Sequence, residues 1–223
     1  MEKYKVDYSE TSHFKGIRIL FEYLEEGLAH AEQNGITEVC VWTDGDWSKV
    51  PVNFDFLKDR GFIKTFHWLI PMSKKSNIDG LKNLANLKNL RWSGASDFNF
   101  DFSMLPNLEE LHLGYGPKIK GWHTLINLRK LMIGGVKTDD LSFLKHAVNL
   151  EYLRIVGGKF ESIAGIDNCE KLKTLFIQKC TELTELQPTI NQLKNLEQLN
   201  LEGCKKINAQ QLSGLSIKHL SII

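Results

Sequence analysis

Residues 172–204 carry one pattern twice: Leu172, Leu175, Ile177 and Cys180 return 24 residues later as Leu196, Leu199, Leu201 and Cys204. Within each copy the last apolar residues alternate, as in an extended segment with one buried face. The same signature starts at Ile36, Ile63, Leu87, Leu108, Leu128, Leu150, Leu172, Leu196 and Ile217, with spacings of 27, 24, 21, 20, 22, 22, 24 and 21 residues. Nine matches in one phase require an array in which each unit leans its apolar face on the next. Between strands, Ile78-Leu81-Leu84 and Leu141-Leu144 place apolar residues three apart, which predicts short helical returns.

The L-x-x-L-x-L-x-x-(N/C) pattern resembles the leucine-rich repeat. The resemblance implies an α/β fold: a right-handed solenoid arc, with a parallel concave sheet of about nine strands and an N-terminal helical cap. Units of 20 to 22 residues resemble the short bacterial, internalin-like type, whereas C-x-x-L-x-x-L from Cys180 resembles repeats of plant intracellular resistance receptors. In the family an Asn follows the strand. Here that place holds Asp44, Pro71, Ala95, Gly116, Val136, Gly158, Cys180 and Cys204. Cys180 and Cys204 are expected to fill it as buried, reduced thiols, although neighbouring strands about 4.8 Å apart would also permit a disulfide.

Residues 1–35 lack the signature and are read as the cap; residues 36–223 are the solenoid, continuous with it. Residues 3–8 alternate like a strand and 9–16 resemble a turn. From Ile17 the apolar residues Leu20, Phe21, Leu24, Leu28 and Ala31 follow a helical period, which predicts one helix from Ile17 to a stop at Asn34-Gly35.

The charge is balanced, 28 Lys and Arg against 27 Asp and Glu, so no global field favours nucleic acid or an anionic membrane. There is no apolar run of signal-peptide or membrane-spanning length, and the four cysteines form no C-x-x-C pair. The expectation is a cytoplasmic chain without cofactor or metal.

Residues between the core leucines must face outward from the sheet. One such row reads Cys40, His67, Arg91, His112, Met132, Arg154, Phe176, Asn200, Ser221; the row before it runs from Glu38 through Glu110, Lys130 and Tyr152 to His219. Charges interleaved with aromatic and sulfur-bearing groups suit a protein partner. The candidate partner-binding residues are therefore Trp42, Trp47, His67, Arg91, His112, Met132, Tyr152, Arg154 and Phe176. Trp47 and Phe98, in acidic loops after strands, are candidates for an exposed anchor, and Tyr115 either projects or packs over the bend between Gly114 and Gly116. The C-terminal strand, residues 217–223, has no closing unit after it and is a candidate for self-association.

Function follows as a non-catalytic protein-protein interaction module. The specific candidate is a bacterial immunity, antitoxin-like protein that covers a toxin domain; the alternative is an adaptor or scaffold fragment of a larger assembly. An enzyme using Cys40 and His67, with Glu38 orienting, ranks below both because nothing in the chain supplies an oxyanion hole. A Cys40, His67 and His112 metal site is disfavoured because Arg91 lies between the histidines.

Overall fold

A computed structural model describes residues 2–46, 50–94, 98–215 and 217–223. In chain order the strands are β1 Tyr4–Asp7, β2 Gly16–Leu20, β3 Glu38–Trp42, β4 Thr65–Trp68, β5 Asn89–Trp92, β6 Phe100–Asp101, β7 Glu110–Gly114, β8 Ile119–Lys120, β9 Lys130–Val136, β10 Tyr152–Gly158, β11 Thr174–Cys180, β12 Gln198–Glu202 and β13 His219–Ile222. All but β6 and β8, which pair with each other, join one eleven-stranded sheet. Its strands follow chain order and are parallel, apart from β1, which pairs antiparallel with β2.

The returns are as short as the spacing predicted. They are single 3₁₀ turns such as Asp79–Asn83, Phe102–Met104 and Ser142–Leu144, and one α-helical turn at Gln187–Ile190. Extended strands on one side and compact returns on the other give an arc whose concave face is the sheet.

Inside, Leu111, Leu131, Leu153, Leu175 and Leu199 are direct neighbours on successive strands and at most 2% exposed. Burying a leucine of this kind contributes about 1.5–3 kcal/mol, and the parallel row of Ile133, Ile155, Ile177 and Leu201, at most 2% exposed, adds a comparable share. Toward β3 to β5 rings replace leucines: Trp68 lies 4.6 Å from Phe54, 5.5 Å from Phe21 and 6.4 Å from Trp92, centroid to centroid.

The N-terminal segment differs from expectation. The helix, α1, spans only Leu24–Gln33, and residues 17–20 are strand. Gly16–Leu20 aligns Ile17 with Val39 and Ile19 with Val41, so it is a further rung of the parallel ladder. Among the described residues that ladder has ten strands, not nine. Ile17, Ile19 and Leu20 fit a helical face by spacing, yet their alternation around exposed Arg18 equally fits a strand, and the open backbone edge of β3 decides the matter.

The place after each strand is also resolved. Gly135, Gly157, Lys179 and Gly203 occupy one position in successive repeats and share left-handed φ values of 70°, 67°, 56° and 64°. The bend they make turns the next residue inward, so Val136, Gly158, Cys180 and Cys204 are buried. The cysteines are free thiols: Cys180 Sγ donates to the Gln178 carbonyl at 3.5 Å and Cys204 Sγ to the Ile177 carbonyl at 3.5 Å.

Candidate partner-binding surface

Strand pairing lines up the expected central row without a slip. Arg18, Cys40, His67, Arg91, His112, Met132, Arg154, Phe176, Asn200 and Ser221 are successive cross-strand partners. Six candidates, His67, Arg91, His112, Met132, Arg154 and Phe176, thus form one file on the concave face. Tyr152 stands in the adjacent row, its ring 5.8 Å from Phe176 and 5.7 Å from the Lys130 ammonium. Arg154 donates from Nε to Gln178 at 2.8 Å.

Trp42 stands apart in a third row at the N-terminal end, its ring 5.6 Å from the Arg18 guanidinium. Trp47 lies outside the described residues. Phe98 is not the exposed anchor expected of it: it is 9% exposed and, with Trp92, Phe100, Phe102 and Leu113, lines a small apolar gap of about 20 Å³. Tyr115 packs rather than projects, stacked 6.5 Å from Trp122 and 5.4 Å from Phe143.

The N-terminal end of the concave floor is covered. Tyr8 donates to Glu38 at 2.9 Å, and the Phe14 ring lies 4.8 Å from His67. Cys40, read from the sequence as an exposed thiol beside an exposed imidazole, is only 3% exposed. Burial pushes its thiol up to about 11 against the opposing pull of Arg18 and Arg91. Burial likewise depresses His67 to about 4, with Arg91 and His112 adding repulsion and an Asn89 hydrogen bond opposing them. A thiol held protonated beside an imidazole held neutral is the reverse of a nucleophilic ion pair. His112 is lowered too, by burial first and then by Arg91 and Arg154. Among the described residues no group of three or more His, Cys, Asp or Glu could hold a metal ion, and no helix is long and apolar enough to cross a membrane.

Sequence reasoning passed over one edge of the sheet. The amides of Asn86, Asn107, Asn127, Asn149 and Asn195 each donate to a backbone carbonyl of the preceding repeat, at 3.1, 2.8, 3.1, 2.7 and 2.7 Å. The signal was the recurring Asn-Leu pair that opens these units. Asparagine does the tying expected of it here, but before the strand instead of after it. Beside this ladder Lys88–Glu109, Arg129–Glu151 and Glu197–Lys218 pair across strands at 2.7, 2.8 and 2.8 Å. These charges are satisfied within the chain, which makes the edge structural and leaves the central file as the face with free chemistry.

No protein-family model matches the chain. In an alignment 132 positions long that covers 52% of the chain, it is 30% identical to the disease resistance protein RPP2A of Arabidopsis thaliana, and it spans about 10% of that relative. Among solved structures it is similar to internalin C2 from Listeria monocytogenes, with a TM-score of 0.60 and 17% identity over 89% of this chain and 84% of the other. A second Listeria internalin, inlF, gives a TM-score of 0.61 and 18% identity over 86% of this chain and 56% of the other. The Toll–Spatzle complex of Drosophila gives 0.60 and 13% over 86% and 32%. At such identities the structural likeness speaks for the fold.

Proposed function

We propose that this chain, a leucine-rich-repeat solenoid, is a non-catalytic module that binds another protein on its concave face. The observation that carries the reading is the file from Arg91 to Phe176, where cationic, aromatic and sulfur-bearing side chains stand side by side on a rigid sheet. Rigid elements presenting such residue types lose little conformational entropy on association. The contact residues in this reading are His67, Arg91, His112, Met132, Tyr152, Arg154 and Phe176, with Trp42 at the margin. The similarity to a disease resistance protein and to a Toll–Spatzle complex supports a protein partner in kind. Within that class we favour an immunity role in the cytoplasm, in which the arc covers a toxin domain, because occluding a partner asks nothing of the fold beyond a stable contact surface. Self-association through β13 is a further element of the proposal, supported by Leu220 and Ile222, each 42% exposed, and is tested by sedimentation across a concentration series.

The experiment is affinity capture from the native cell extract with cross-linking, comparing the wild type with Arg154→Ala and Phe176→Ala. Each variant should weaken the captured complex by about 1–4 kcal/mol with little change in Tm. Cross-links that map to the convex returns, or capture indifferent to both changes, would remove the concave face from consideration.

A further inference from the structure

Charge on the concave floor is unevenly distributed. The central row from Arg18 to Ser221 contains Arg18, Arg91 and Arg154 with two histidines, and no carboxylate. Carboxylates in the flanking rows are already engaged. Glu38 accepts from Tyr8 at 2.9 Å and Thr37 at 2.6 Å; Glu110 accepts from Asn89 at 3.3 Å and lies 3.9 Å from the Lys130 ammonium; Glu202 accepts from Gln178, which accepts from Arg154.

Arg91, by contrast, is not engaged. Its side chain is exposed and, among the described residues, makes neither a hydrogen bond nor an ion pair. It lines a depression of about 160 Å³ with His67, His112, Met132 and the Glu110–Lys130 pair. A guanidinium offers five donors in a planar fork that matches a carboxylate. Here the fork sits beside apolar Met132 and two imidazoles whose burial disfavours their own protonation, so within the depression an incoming anion is drawn to Arg91 ahead of the histidines.

We infer that the protein partner presents an acidic segment to this face, with an Asp or Glu carboxylate seated in the depression against Arg91 and neighbouring acids facing Lys130 and Arg154. The inference rests on the concave face being the binding surface. Nucleic acid matches less well: the cationic file is one residue wide and bordered by Glu38, Glu110 and Glu202, so a continuous run of phosphates would meet carboxylates on either side.

The test is a random peptide library displayed on phage, panned against the full chain. Selected peptides are then synthesised with a fluorophore and titrated by anisotropy against the wild type, Arg91→Lys, Arg91→Glu and Phe176→Ala. Circular dichroism confirms that each variant is folded, which the exposure of Arg91 favours. Selected peptides should be rich in Asp and Glu and should lose at least about tenfold in affinity with Arg91→Glu and less with Arg91→Lys. Their binding should weaken as salt rises toward about 0.3 M. Peptides that need Phe176 yet show no acidic bias, or that bind Arg91→Glu as well as wild type, overturn the acidic partner and leave the concave-face reading intact. Peptides indifferent to both residues, or no selection at all, overturn the two together. A labelled single-stranded oligonucleotide that outcompetes every selected peptide also overturns the inference.

Discussion

The two halves of the arc share one backbone ladder and fill it differently. From β2 to β5 the interior is aromatic, with Phe54, Phe66, Trp68 and Trp92 behind the sheet, and the concave floor is partly roofed by Tyr8 and Phe14. From β9 to β12 the interior is mainly aliphatic, with Phe160 as a buried ring, and the strands end in a left-handed bend. The units that begin at Ile36 and Ile63 are 27 and 24 residues long, against 20 to 22 for those from Leu87 to Leu150, but the unit that begins at Leu172 also has 24 residues and an aliphatic interior. Length alone therefore does not call for rings; in the early units Phe54, Trp68 and Trp92 fill the interior in mutual contact, as close packing requires. Parallel pairing fixes which residues face in, and each interior is then filled by side chains that pack against those of the neighbouring strands.

That contrast can be broken by removing one residue from each interior. Trp68→Ala should cost about 3–5 kcal/mol and Leu153→Ala about 2–5 kcal/mol, read from urea denaturation midpoints. Trp68 carries a complication absent from the aliphatic half: its buried Nε1 has no hydrogen-bond partner. Trp68→Phe deletes that donor, so its cost should fall below that of the lost ring volume alone, by a share of the roughly 1–3 kcal/mol that an unmet buried donor exacts. An array equally tolerant of both alanine changes at small cost would mean that the interior is not packed as described.

The roof over the early floor is tested with acid. The unfolded chain protonates a histidine near pH 6.5, whereas folded His67 resists until about pH 4. Between those values the unfolded state holds the extra proton, so stability should decline as the pH falls from about 6.5 to about 4, by at most about 3 kcal/mol from this residue. His112, also lowered, adds in the same direction. His67→Gln should flatten the profile of Tm against pH, and an unchanged profile would show that the imidazole is solvated.

A smaller effect sharpens the description of the later half. Lys179 holds the left-handed bend that glycine holds in the repeats on both sides. Lys179→Gly should stabilise the protein by about 1 kcal/mol, and Gly157→Ala, where space is open and only the backbone conformation resists, should cost a similar amount in denaturation experiments.

Where the sequence could be read correctly, one rule sufficed. Leucine phase predicted the pairing of Leu111 through Leu199 and, with it, the whole file from His67 to Phe176, because a strand that buries one residue must expose the next. The failures have a different cause. Ile17, Ile19 and Leu20 satisfied two periods at once, and nothing local could show that β3 had an edge to be paired. Phe98 looked like an anchor because its neighbours are polar, while its burial depends on Trp92 and Leu113 arriving from other strands. Cys40 looked exposed because the strand that flanks it with Arg18 satisfied a helical period, and because Phe14, which reaches its other neighbour His67, carries no signature of where it will lie.

By itself, then, the chain determined its repeat, its strand direction and which side chains share a face, since these follow from spacing and the alternation of an extended backbone. Only the assembled arc decided which of those faces meets water. Coverage depends on segments distant in sequence being brought together, and that is settled by packing, which no local pattern encodes.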